Sequence, residues 1–459
     1  MSNTSSTPIA TRPFARRTIL GTLASVGAMG VLAACGGGAP AAQTGSGDVA
    51  KAAPGGPQKV DVWWSIADNN PSIAPAWEDF KKRHAGWTGE LTMGVTYEKF
   101  QASIAGGIAP DAYFGSFQVI QAAAFKKIFA PLDQYINRDK VNMDQYYFGS
   151  KAGAVFKGKI YGVPHHSNVR SLYVNQQAYR EVGVDPTKAP ATWDDLRSIN
   201  QRMKVESAPG VLERIGYNPT WQIGGPTPVM YFQANDVPLL SQDGNQPGFG
   251  TPAGIEALKW IADSVAALGG QGALNEYQKK FSKGTGEALG RGAAGAAMAG
   301  IWVVPRDAMA ANPGATILQY PIPGGPSARG KTFGYVAATS GVVPTSAARP
   351  DAGWEWTKYQ ASVEGQRYIQ DAGGSWDQAC IASVANDPKV LEAQPWRRRA
   401  NELLGQARHT AYFPHPGATD IEMAMNTAIN DLLANKAGPD AIMQEMKLQV
   451  QNAMDQYRS

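Results

Sequence analysis

The sequence predicts an α/β fold, on three observations. Short runs of β-branched and aromatic residues alternate with segments whose apolar residues recur at helical spacing, the signature of strands interleaved with helices. With 459 residues the chain is long enough for two to three domains, or two large lobes around a shared core. Hydrophobic residues make up 43% and include 12 Trp, while 51 Gly and 31 Pro stay below a low-complexity composition, so global disorder is excluded.

Residues 1–34 read as a signal peptide. A polar stretch ends in Arg16-Arg17 and is followed by a mild Gly- and Ala-rich apolar run, Thr18 to Ala34. That run is too short for a membrane span and fits an export leader. The paired arginines resemble a twin-arginine signal, and Leu32-Ala33-Ala34-Cys35 resembles a lipobox, in which Cys35 would be acylated. An ordinary secretory signal with a chance Arg-Arg and Cys is the plainer alternative. Residues 35–57 are Gly, Ala, Pro and Ser in the main, a flexible tether with nothing to build a core. The leader carries Arg12, Arg16 and Arg17 and no acid, so the formal charge of +4 falls to +1 beyond it, which gives no electrostatic case for nucleic-acid binding. Cys35 and Cys380 cannot make a disulfide framework; with Cys35 acylated, Cys380 reads as a buried thiol.

From Lys59 to Ser65, Val60, Val62 and Trp64 alternate with Asp61 and Trp63, as in a strand. Ile73, Trp77 and Phe80 follow at helical spacing. Strand then helix recurs over 89–97, around Phe100–Ile104, and at Asp111-Ala-Tyr-Phe114. Thr192 with Asp195 marks a helix start, as do Thr251-Pro252 before Ile255, Leu258, Ile261, Val265 and Leu268. Two amphipathic helices, Ile421–Leu433 and Ala441–Met454, close the chain around Gly438-Pro439.

Two phosphate-binding patterns occur and neither has the right setting. Gly325 to Thr332 matches G-x-x-x-x-G-K-[ST], yet Pro321 and Pro323 precede it and a β-like run follows where a helix is required. Gly290-Arg-Gly292-Ala-Ala-Gly295 matches G-x-G-x-x-G, but no buried strand leads into it. No cofactor is expected. HExxH, GxSxG and CxxC do not occur.

Three stretches, in order, resemble the family 1 extracellular solute-binding proteins, the sugar-binding subunits of bacterial ABC importers. They are Gly106-Gly-Ile-Ala-Pro110-Asp111 with the segment to Ile136; Gly158-Lys-Ile-Tyr161-Gly-Val-Pro164 with Leu172-Tyr-Val-Asn175 and VGVDPTKAPATWDDL; and Gly295-Ala-Ala-Met298-Ala-Gly300-Ile-Trp302 with YPIPGG and WEWTKYQASVEGQRYIQDAGG. The resemblance runs from about residue 58 to the end. The His165-His166 pair departs from the pattern. It implies a periplasmic-binding-protein-like fold, two α/β lobes with hinge crossovers and a ligand cleft between them. Lobe 1 would be 58–165 plus 331–372, and lobe 2 would be 166–330 plus 373–459.

The resemblance also nominates ligand contacts, each with a plainer structural alternative. Trp63, Trp64 and Ser65 end the first strand; by alternation Trp64 shares a face with Val60 and Val62, leaving Trp63 as the better cleft residue. Asp111 would offer a carboxylate to sugar hydroxyls, or cap a turn. Asn168 and Arg170 follow Pro164, where the family places polar contacts, against a hinge or surface role. Trp221 and Trp302, and less strongly Trp376 and Tyr412, would serve the apolar C–H face of a sugar, or else pack in the core. His165, His166, His409 and His415 raise a zinc alternative, but neighbouring side chains on extended chain point oppositely, so only one of the adjacent pair would face a site.

The function implied is capture of a carbohydrate by lobe closure and delivery to an ABC permease, without bond breakage. The protein would be a monomer, exported and lipid-anchored on the outer face of the cytoplasmic membrane. A glycerol-phosphate ester is the alternative ligand, and an exported carbohydrate-active enzyme the alternative class.

Overall fold

Val62–Trp64 is the first strand of an 11-stranded sheet, pairing in parallel with Leu91–Met93 on one side and Ala112–Ser116 on the other. The structure, a computed structural model, describes residues 58–65, 73–221, 227–371 and 377–458. The leader, Cys35, the tether and Trp376 lie outside these described residues. Side-chain alternation along the first strand sorts its two tryptophans. Trp64 packs with Val60 and Val62 against the helices Ile73–Arg83 and Pro350–Ala361, while Trp63 packs on the opposite face, edge-on to Phe100. Helix Ile73–Arg83 buries Ile73, Ala76, Trp77 and Phe80, the face its spacing marks as apolar.

The strand that organises the molecule is Val163–Asn175, thirteen residues long and buried throughout. It starts from a tight hairpin, Val155–Phe156 with Lys159–Ile160, whose two turn residues Lys157 and Gly158 both have positive φ (47° and 75°). Such a turn matches the twist of its flanking strands, and glycine adopts that conformation without a Cβ clash. The first half of the long strand pairs with Tyr335–Val342 on one edge and Gln378–Ala379 on the other. Its second half pairs with Ala294–Ala299 and Ile317–Tyr320. Beyond Ala294–Ala299 the sheet continues, in parallel, to Val211–Tyr217 and ends at Val205–Ala208. One strand therefore belongs to two differently composed halves of the sheet.

The cores divide along that strand. One half is covered by helices Ile73–Arg83 and Pro350–Ala361 on one face and by Tyr97–Ala105 and Phe117–Phe125 on the other. The large second core unites Leu172 and Val174 with helices Trp193–Met203, Thr227–Ala234, Pro252–Ala267, Ala418–Leu433 and Pro439–Asp455. Helix Trp193–Met203 begins with a capping box: the Thr192 hydroxyl accepts from the Asp195 amide and the Asp195 carboxylate accepts from the Thr192 amide. A cap of this kind contributes about 1 kcal/mol. Thr251 likewise accepts from the Gly254 amide ahead of Pro252.

Both phosphate-loop patterns are structurally something else. Gly325 opens a short helical turn, Pro326–Ala328, which leads into Thr332–Phe333 paired back on Ile322–Pro323. The Gly290–Gly295 stretch leaves the helix Gly284–Gly290 and enters the strand Ala294–Ala299, the reverse of the order that a dinucleotide fingerprint needs.

Candidate functional site

The nominated polar side chains gather on the long strand at the place where its two halves meet. His166, Asn168 and Arg170 are spaced two apart and share a face. Asp377, at the start of the segment that pairs on this strand's edge, lies 3.5 Å from both His166 Nε2 and Asn168 Nδ2. Asn168 Oδ1 is buried, and no described residue supplies it a hydrogen bond.

Arg170 is buried, and its guanidinium carbon stands 4.5 Å over the Trp302 ring. The guanidinium also donates to the Tyr412 hydroxyl. Burial pulls the Arg170 pKa below its ordinary value, while the nearby Tyr412 and Tyr173 hydroxyls and Asp377 oppose that shift. The indole held by this cation follows the strand Ala294–Ala299 and introduces the helical turn Val303–Ala308. Gly300 makes that position feasible, because a Cβ there would overlap the Trp302 ring.

Trp302 forms one wall of a cavity of about 870 Å³; Trp221 stands on another. This size is within the range of small-molecule sites. Trp221 is largely buried against Tyr277 and Phe281, so it both packs a core and faces the cavity. Polar groups complete the lining, among them Asn275, Gln278, Lys283 and Thr285. Arg306 is tied through two hydrogen bonds to Asp307, at 2.8 and 3.1 Å. Flat rings beside amides, a hydroxyl and charges are the elements that grip a ring bearing C–H faces and a hydroxyl rim.

The other nominated residues are placed as follows. Trp63 is half-buried, and Ser65 hydrogen-bonds Tyr113. Trp64 is fully buried, tilted against Phe114 with ring centroids 4.3 Å apart and edge-on to His165. Asp111 lies before the strand Ala112–Ser116, at the end opposite Ser116, and is fully buried. It accepts from the Asp61 amide (2.8 Å), the Arg349 amide (3.0 Å) and the Arg349 guanidinium (2.9 Å). Tyr412 packs against the cores of both halves.

The histidine pair departs from expectation. His165 and His166 do not point oppositely: their Nδ1 atoms are 3.0 Å apart. The cause is a bulge. Thr339 is opposite His166 and Ser340 is opposite Pro164, so His165 is the extra residue, and strict alternation fails there. Burial and the neighbouring His166 hold the His165 pKa well below the usual imidazole range. His409 meets Gln233, His415 accepts from the Gly417 amide, and no group of three metal-binding side chains occurs among the described residues. Cys380 is a buried thiol whose pKa burial raises to about 12.

Sequence reasoning missed Asn275, Gln278, Lys283, Thr285, Arg306 and Asp307. They lie on helices and turns whose local sequence is unremarkable; only the Arg306-Asp307 pair, close after Trp302, stands out among apolar neighbours.

This arrangement, with one strand shared by two α/β halves beside a ring-lined cavity, is that of a two-lobed solute-binding protein. Residues 63–367 match the family of bacterial extracellular solute-binding proteins, and the chain belongs to it. Among curated proteins, a putative binding protein of Brucella abortus is 24% identical over 212 residues, 43% of this chain and 48% of that one. The sn-glycerol-3-phosphate-binding periplasmic protein UgpB of Shigella flexneri is 34% identical over 116 residues, 25% of this chain and 23% of that one. The chain thus spans about half the length, or less, of these relatives. Among solved structures, CpMnBP1 with mannotriose bound superposes with a TM-score of 0.73 at 21% identity, covering 85% of this chain and 99% of that one. The GacH receptor of Streptomyces glaucescens, solved unliganded and with acarbose, gives 0.70 at 16% identity over 87% of this chain and 99% of that one. These likenesses establish the two-lobed fold. No described helix is long and apolar enough to cross a membrane.

Proposed function

We propose that this protein captures a carbohydrate between its lobes and delivers it to an ABC permease without breaking a bond. The observation that carries the reading is the cavity walled by Trp221 and Trp302 and lined with amides and hydroxyls, all from residues 221–307, against which the other lobe would close. The fold's neighbours with mannotriose and acarbose support the ligand class. The lobes, 58–165 plus 331–372 and 166–330 plus 373–459, would close about the strands Val163–Asn175 and Tyr335–Val342, because contacts to both walls exist only when closed. Trp221 and Trp302 would be its direct ligand contacts, and Asn168, Arg170 and Tyr412, which do not line that cavity, would meet the ligand on closure. The protein acts as a monomer.

A specific observation favours a second ligand, a glycerol-phosphate ester. Lys279, Lys283 and Arg306 line the cavity, and a relative of matching sequence over 116 residues carries that specificity in its name. A thermal-unfolding screen with oligosaccharides, polyols and glycerol phosphates separates the two. A true ligand at about 100 times its dissociation constant adds about 2.7 kcal/mol and raises the midpoint. A shift with a sugar and no product formed supports the first reading; a shift only with phosphate esters replaces it by the second.

Cys35 anchors the exported protein through acyl chains, after cleavage of a leader that ends at residue 34. Deleting residues 1–34 is expected to leave the protein unacylated and cytosolic, as read by mass spectrometry and cell fractionation. Membrane association of that deletion variant would overturn the anchor.

A further inference from the structure

Glu422 is a carboxyl buried where two halves of the protein touch. It lies on helix Ala418–Leu433, whose Ile421, Met425, Ala428 and Ile429 belong to the large second core. Across from it runs helix Phe117–Phe125, whose Phe117, Ile120 and Ala123 belong to the core of the other half, with Phe100 and Tyr113. Gln118 Nε2 donates across this junction to Glu422 Oε2, and the Phe413 amide donates to Oε1 at 2.9 Å. Only 5% of Glu422 is exposed. At the far end of the same helix, Phe125 and Lys126 meet Tyr457, with ring centroids 5.3 Å apart and the Lys126 ammonium 5.7 Å from the tyrosine ring.

The junction is wired to the cavity. Phe413, whose amide Glu422 holds, follows Tyr412, and the Tyr412 hydroxyl accepts from Arg170, the cation that lies over Trp302. We propose that Gln118 and Glu422 form a clasp between the lobes that grips when the carboxyl carries its proton, the Gln118 amide then turning over so that its oxygen accepts from the carboxyl O–H while the other carboxyl oxygen keeps the Phe413 amide, and that Glu422 thereby acts as a positioning residue for Tyr412, Arg170 and the Trp302 wall. This rests on the reading that the lobes move relative to one another.

The charge environment fits. Helix Phe117–Phe125 brings Gln118 and, just beyond its end, Lys126, which lies over Tyr457. The segment 409–417 brings Tyr412 and His415; the helix of Glu422 itself brings Asp420, which accepts from the Tyr457 hydroxyl. Arg170 stands behind Tyr412. Helices Thr227–Ala234, Pro252–Ala267 and Pro439–Asp455 share the core with this helix through apolar residues such as Phe232, Ile261 and Met446. Among the described residues no ion pair reaches Glu422. Burial therefore outweighs its two donors and raises its pKa from 4.5 to about 7. A carboxyl that binds its proton more tightly in the clasped state makes protons favour that state. The clasp is at full strength below about pH 4.5 and is lost as pH rises through about 7.

The test is small-angle scattering of the ligand-free, full-length protein across this range, with Glu422→Gln and Gln118→Ala beside it. Wild type is expected to gain in radius of gyration as pH rises, within the window from about 4.5 to about 7. Glu422→Gln keeps the shape without the charge; its oxygen can keep the Phe413 amide and its NH2 can donate to the Gln118 side-chain oxygen once that amide turns over, as the protonated carboxyl would, so the variant is expected to stay compact throughout. Gln118→Ala is expected to be more extended than wild type at the acid end. An unchanged pH response in Glu422→Gln would overturn the clasp; should that variant fail to fold, acid-end compactness in Gln118→Ala equal to wild type would do so. A wild type indifferent to pH that still contracts with an oligosaccharide would remove the clasp and leave lobe closure standing.

Discussion

Replacing Asp111 by alanine is expected to destabilise the protein by about 2–3 kcal/mol, the cost of leaving buried backbone donors without the charged group that satisfied them. The carboxylate is fully buried and satisfies three donors at once: the Asp61 amide, the Arg349 amide and the Arg349 guanidinium. Arg349 also reaches Asp61, at 2.8 Å, so the lost charge leaves a network short of an acceptor rather than one bond. The residues involved are 238 positions apart and fasten the helix Pro350–Ala361 to the start of the strand Ala112–Ser116. Urea unfolding of the variant should show the midpoint falling, while titration with ligand below that midpoint should return the wild-type affinity. A variant with unchanged stability and weakened binding would instead put Asp111 in the cleft.

That residue also marks how far the sequence could be read. Pro110-Asp111 signals a break before a strand, and the strand is there; what the carboxylate does depends on an arginine far away in the chain, which no local pattern announces. Local physics was legible wherever one element settles it. The alternation Val60, Val62, Trp64 sorted the two tryptophans correctly, and Thr192 with Asp195 gave the capping box, because both depend on neighbours within four residues. Alternation failed at His165 for the complementary reason. The bulge exists only against Thr339 and Ser340, so two histidines that the chain alone would separate come within 3.0 Å. The cavity is harder still. Asn275, Thr285 and Arg306 come from separate helical segments, and only tertiary packing sets them beside Trp302.

The long strand ties these pieces to a mechanism. Its first half is held by Tyr335–Val342 and its second by Ala294–Ala299, and the pairing passes from one to the other between Arg170 and Ser171. Arg170 and Tyr412 lie at that point, and Tyr412 touches both cores. A ligand in the cavity would touch Trp302, whose ring Arg170 contacts, and through that ring would bear on the junction of the two halves.

Trp302→Ala is accordingly expected to weaken ligand binding about 10- to 100-fold, or about 1.4–2.7 kcal/mol, while the fold survives. The indole is half-buried, and its losses are two: the flat surface it offers to the cavity and its contact with the Arg170 guanidinium, 4.5 Å from the ring. A cation–π contact of this kind contributes about 1–2 kcal/mol. Deleting the ring therefore also frees Arg170 to reorient, and the wall is altered beyond the missing atoms. Gly300→Ala separates the two effects. Its methyl would overlap the ring and push it aside without removing it, so affinity should fall while the indole remains available to Arg170 in a shifted pose. Calorimetric titration of both variants with the ligand found by the thermal screen, alongside their unfolding midpoints, reads the outcome. A large drop in midpoint with wild-type affinity would assign Trp302 to the core, and the cavity's recognition would then rest on Trp221 and its polar neighbours.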